Sequence, residues 1–152
     1  MSEDQVAQVA VASAIVIGLV VLAISTAVTI FFILTLQKAL NRCSPENRAM
    51  QPGMLWLLLI PLFNIVWIFF VVLNMAKSLG AEFLKRGIVS EPEPGKTLGL
   101  AYAITAAGSI VISWIPCVGS LAGVAIIVLW IMYWVKIVGY SKQLESPMPT
   151  VV

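Results

Sequence analysis

Four stretches of the chain are apolar enough to read as membrane helices, and polar connections separate them. The first, residues 6–36, carries no charge anywhere along its length. At about 1.5 Å of rise per residue it exceeds the roughly 30 Å hydrocarbon core of a bilayer, so it must tilt or project. The second, 54–75, is interrupted by Pro61, with Asn64 three residues on. Proline removes a donor and frees a carbonyl one turn back, which predicts a kinked or re-entrant segment at Pro61. From 75 to 87 the pattern becomes amphipathic: Met75, Leu79 and Phe83 share a side, while Lys77, Lys85 and Arg86 lie elsewhere. Glu82 stands four residues before Arg86, a spacing that lets the two pair.

Gly87 predicts the end of that helix, and 88–97, rich in proline and glutamate, an extended linker. The third and fourth segments, 98–115 and 120–138, are joined by a tight turn at Pro116-Cys117-Val118-Gly119. So short a connection requires an antiparallel hairpin. In the connector after the first segment, Ser44, Pro45 and Glu46 have the form of an N-cap, a first-turn proline and an early acid. This predicts a short helical turn closed by Pro52-Gly53. The expected architecture is an all-α integral membrane protein: a single membrane domain over 1–145, a compact bundle of four apolar helical segments, with a flexible tail at 146–152.

Composition agrees and narrows the function classes. Of 152 residues, 61% are hydrophobic and 11% charged, where soluble domains carry about 25% charged residues. A net charge of +2, with scattered basic residues, is no nucleic-acid footprint. There is no histidine, which removes the commonest general base, proton relay and metal ligand together. Two cysteines cannot hold a four-ligand zinc site, and no phosphate loop, dinucleotide fingerprint or nucleophile elbow is present. No catalytic residue, cofactor or metal is expected. The acidic start, Glu3 and Asp4, is unlike a signal peptide, so the first segment is expected to stay as an anchor.

Topology pits two rules against each other. With four crossings, Lys77, Lys85, Arg86, Lys96, Lys136 and Lys142 share the side of the termini, and Lys38, Arg42 and Arg48 the other. The positive-inside rule then puts both termini in the cytoplasm, whereas the acidic N-terminus and basic first loop favour N-out. A second segment that dips in and returns reconciles them, with all nine basic residues inside. Its length suits a full span, so four crossings are the expectation and re-entry the alternative. A Cys43–Cys117 disulfide could form in the four-crossing arrangement and not in the other.

Asn64, Asn74 and Lys136 are the candidate intramembrane polar or pore-lining residues, since buried polar groups in lipid are costly. Local roles compete: capping near Pro61 for Asn64, an interhelical or interfacial bond for Asn74, and snorkelling for Lys136. Ala10, Ala14 and Gly18, and again Gly99, Ala103 and Ala107, form small-residue stripes that admit close helix packing. Aligning Trp67 with Trp130 also matches Ser78 with Ser141 and Glu82 with Glu145, a faint echo in which chance similarity is favoured.

Residues 40–56, continuing through Ile60, Pro61, Leu62, Phe63 and Asn64, resemble a signature of small bacterial inner-membrane proteins to which no activity is assigned. Residues 94–102 and 133–142 are similar to that group too. The resemblance implies a bacterial inner-membrane location. The expected function is a non-enzymatic membrane scaffold or accessory protein that packs against itself or a membrane-protein partner. Its basic face at Lys77, Lys85 and Arg86 would meet anionic lipid. The alternative is a homo-oligomeric channel or small-solute transporter lined by segment two.

Overall fold

The structure is a computed structural model that describes residues 2–60, 62–88, 90–112 and 116–145, without the side chains of 110–112 and 116–120. It is all-helical among the described residues. Helix α1 spans Glu3–Arg42, α2 Phe63–Lys85, α3 Lys96–Ile112 and α4 Pro116–Gln143, with 3₁₀ helices at Pro45–Asn47 and Pro52–Leu59. Three helices (α1, α2 and α4 over Leu121–Gln143) are long and apolar enough to cross a membrane. The chain divides into two units, residues 1–32 and 33–152.

The first unit is a run of α1 that buries little. Its start is a reciprocal cap: the Ser2 N–H donates to Gln5 Oε1 (3.1 Å), and the Gln5 N–H to Ser2 Oγ (3.4 Å). Glu3 and Asp4 then meet the positive end of the helix dipole. Residues 2–27 are exposed throughout. The hydroxyls of this unit turn inward on the helix itself: Ser13 donates to Ala10 O, Ser25 and Thr26 to Leu22 O, and Thr29 to Ser25 O.

The second unit is organised around α2. Ile68, Val71, Val72, Met75, Leu79 and Phe83 recur at helical spacing and are all buried. Ile33, Leu36 and Leu40 of α1 and Tyr133, Ile137 and Leu144 in and just past α4 are buried as well. The amphipathic 75–87 stretch is therefore the second half of α2, not an appendage. Gly87, at φ 65°, ends it as expected, with Ile88 N–H on Phe83 O and Gly87 N–H on Leu84 O.

Segment two does not form one helix across 54–75. Pro52 and Gly53 open a 3₁₀ helix instead of closing a turn. At three residues per turn, Leu55 and Leu58 fall on one face, and both are buried. The chain then reverses. Pro61, the expected kink, lies outside the described residues, but Leu62 beside it sits at φ 66°, ψ −48°, the strained left-handed side of the backbone map. Two bonds fix the return path: the Ala49 N–H donates to Ser78 Oγ (2.9 Å), and Trp67 Nε1 donates to Met54 O (2.9 Å). Residues 49–59 thus run antiparallel beside α2, and the stretch 49–85 leaves one end of the unit and comes back to it.

Bonds from α1 to α4 complete the topology. Trp134 Nε1 donates to Thr35 Oγ1 (3.1 Å) and Arg42 to Ser141, so residues 33–42 and α4 run in the same direction. The C-terminal ends of α1, α2 and α4 meet, and all nine Lys and Arg lie there, in about the last two turns of those helices or in adjoining connections. The end of α2 is bonded to the end of α1, through Arg86 on Arg42 O, where an end-to-end alternation of four segments would set them apart. Helix α3 packs on both α2 and α4. The Pro116–Gly119 turn is instead the first turn of α4, with proline at its opening position. Residues 113–115 and the 146–152 tail lie outside the described residues.

Candidate functional site

The densest chemistry in the chain is a polar knot at this shared end. Glu82, at the end of α2, is fully buried. Its Oε2 accepts from the Ser44 N–H (2.9 Å) and Asn47 Nδ2 (2.8 Å), and its Oε1 from Ser44 Oγ (3.2 Å) and Arg86 Nε (2.8 Å). Arg86 in turn donates to Leu144 O (2.9 Å) and Arg42 O (3.2 Å). Arg42 reaches across to Ser141 O (2.6 Å), Ser141 Oγ (2.8 Å) and Glu145 Oε1 (2.8 Å). Two carboxylates and two guanidinium groups therefore bind together the ends of three helices and the 43–48 connector. The expected Glu82–Arg86 pair is present. Ser44, expected as an N-cap, makes no side-chain cap bond because its hydroxyl goes to Glu82.

The outer layer is ionic. Lys85 pairs with Glu46, holding that carboxyl below its usual range chiefly by the hydrogen bond. Arg48 donates to Cys43 O and Asn41 O (both 3.0 Å). Cys43 is a free, buried thiol, and burial pushes its pKa up to about 11. The proposed partner, Cys117, has its side chain outside the described residues. About 36 Å of helix separates position 117 from Ser141, which bonds the neighbouring Arg42, far beyond disulfide reach.

The remaining candidates scatter. Asn74 is half-buried and donates to Phe70 O of its own helix (2.8 Å). Asn64 follows the reversal, and its backbone N–H, not its side chain, closes on Ile60 O (3.0 Å). Lys136 contacts both oxygens of Glu91 (3.4 Å each) and lies 5.8 Å from the Tyr140 ring centre. The structure does not bring these three together into a polar path. The two small stripes also part company. A Cβ on Gly99 would lie 2.5 Å from Val72 Cγ1 and 2.8 Å from Tyr133 Cε2, and Ala103 is fully buried. Those two are used within the chain, where α3 meets α2 and α4, while Ala107 is half-buried. Ala10 and Ala14 are exposed, and a Cβ on Gly18 would meet nothing within 4 Å.

Chemically, the knot is closed. Both oxygens of Glu82 are saturated with donors and none of its surface reaches solvent, so it cannot exchange a proton with a ligand. Among the described residues, no group of three or more His, Cys, Asp or Glu could hold a metal. Sequence reasoning missed Ser44, Asn47 and Arg42 as partners. The one signal was the compact polar run 41–48 between two apolar segments. Comparison with protein-family models, curated proteins and solved structures returns no match for this chain.

Proposed function

We propose that this chain is a multi-pass protein of the bacterial inner membrane that acts as a non-enzymatic scaffold or accessory subunit. In this reading the chain is a helical bundle in which α1, α3 and α4 cross, and segment two dips in near Pro61 and returns as α2. The gathering of all nine basic residues at one end supports placing that end in the cytoplasm and the acidic N-terminus outside. The observation that carries the scaffold role is the contrast between the stripes. Gly99 and Ala103 are consumed inside the chain, whereas Ala10, Ala14 and Gly18 stand exposed on the uncharged stretch 6–36 of α1, free to pack with a second copy or a partner helix. A pore lined by segment two finds less support, because Asn74 bonds its own backbone and no buried polar side-chain atom among the described residues lacks a partner.

Two experiments test the proposal. Impermeant maleimide on intact cells should label Ser2→Cys and not Glu91→Cys, both in a cysteine-free background; the reverse pattern removes the assigned orientation. Energy transfer between labelled copies, and co-purification of any partner, should weaken in Gly18→Leu while unfolding stays unchanged. A wild-type chain that is monomeric and partnerless in bilayers, or that conducts solute in liposomes, overturns the scaffold role.

A further inference from the structure

The last turns of α1 and α4 enclose a groove of about 250 Å³ at the basic end of the second unit. Lys38 and Arg42 line it from one helix, and Val138, Ser141, Lys142 and Glu145 from the other side. Three cations face one carboxylate. Glu145 is already neutralised by Arg42 at 2.8 Å and is itself well exposed, whereas Lys38 and Lys142 are exposed and make no ion pair among the described residues.

Helix C-termini ordinarily repel anions, since their unpaired carbonyls carry the negative end of the dipole. Here guanidinium groups have taken up carbonyls at both ends: Arg42 holds Ser141 O, and Arg86 holds Leu144 O and Arg42 O. What remains facing outward is ammonium. One or two turns further into the apolar region, Leu34 and Ile131 continue the Lys38 and Val138 stripes and are exposed. The surface is therefore cationic at the helix ends and bare hydrocarbon just below, the profile of a lipid headgroup above its acyl chains.

We propose that this groove binds the phosphate headgroup of an anionic phospholipid, with Lys38 and Lys142 as its ligands and the acyl chains lying along Leu34 and Ile131. This rests on the membrane assignment above, but not on orientation or self-association, so the test is made on the detergent-solubilised full chain. Native mass spectrometry with phosphatidylglycerol or phosphatidylethanolamine of matched chains should show at least tenfold preference for the anionic lipid. The Lys38→Gln/Lys142→Gln variant should lose that preference. The Lys38→Arg/Lys142→Arg variant should keep it, and so should Lys77→Gln, which removes an exposed cation of α2 outside the groove. The site is refuted if the wild type shows no preference, or if Lys77→Gln weakens binding as much as the double glutamine variant. Displacement of the lipid by millimolar inorganic phosphate would equally overturn it, since the acyl chains would then contribute nothing.

Discussion

Replacing Glu82 by glutamine isolates what the polar knot contributes. The carboxylate receives four donors, two on each oxygen. Glutamine offers one oxygen and one NH₂, so in either orientation two of those donors face another donor. Each buried donor left unsatisfied costs about 1–3 kcal/mol. Arg86 is also left largely buried without its counter-charge, a loss of about 3–5 kcal/mol when nothing else compensates. The two costs overlap, because Arg86 Nε is one of the four donors, and Arg86 keeps the carbonyls of Leu144 and Arg42, so the lower end applies and we expect about 3 kcal/mol for Glu82→Gln. That corresponds to roughly a hundredfold shift in the folding equilibrium. The assay is reversible unfolding in mixed detergent–SDS micelles, followed by tryptophan fluorescence. Removing both charges with Glu82→Leu/Arg86→Met should recover part of the loss, since apolar replacement of a whole buried pair is often tolerated. A Glu82→Gln variant within about 0.5 kcal/mol of wild type, well below the cost of one unsatisfied donor, would refute the reasoning. So would a double variant as unstable as the two single changes added together.

Three further outcomes are expected. Gly99→Ala should destabilise by about 1–3 kcal/mol through overpacking against Val72 and Tyr133, whereas Gly139→Ala, with nothing within 4 Å, should not destabilise; paired unfolding curves check this. Cys43 should resist maleimide at pH 7 in the folded protein and react once SDS unfolds it, because burial and a pKa raised to about 11 leave almost no reachable thiolate. Trp67→Phe should cost about 1 kcal/mol by leaving Met54 O without its indole donor, and amide exchange should show faster opening of residues 52–59 than of α2.

Although the break of segment two into a 3₁₀ helix at Pro52–Leu59 and α2 from Phe63 escaped it, the helical class of the chain was legible in the sequence from its long apolar runs and the stop at Gly87. The direction of segment two was not. Its length allows a crossing, and only non-local bonds, Ala49 to Ser78 and Met54 to Trp67, make 49–59 descend beside α2. The Glu82–Arg86 pair was readable from its i,i+4 spacing, but the Ser44 and Asn47 donors lie 38 and 35 residues away, beyond any local pattern. The internal echo is half reflected in the fold. Ser78 and Ser141 are both buried and both accept bonds from the 42–49 region, and Glu82 and Glu145 each pair with an arginine. Yet Ile68 and Val72 are buried where Ile131 and Val135 are exposed, so the two stretches serve different packing roles.

The knot also imposes an order on synthesis. Its Arg42–Ser141 bond joins residues 99 positions apart, and Arg86 waits for Leu144. Translation delivers Ser44, Asn47 and Glu82 first, but Leu144, the last acceptor, emerges 58 residues after Arg86. A nascent or truncated chain ending before residue 141 therefore holds two guanidinium groups with their final acceptors missing, beside an incompletely packed α2. Only once Ser141 and Leu144 are in place do both guanidinium groups hold all these carbonyls, so this one cluster reports whether α4 has joined α1 and α2.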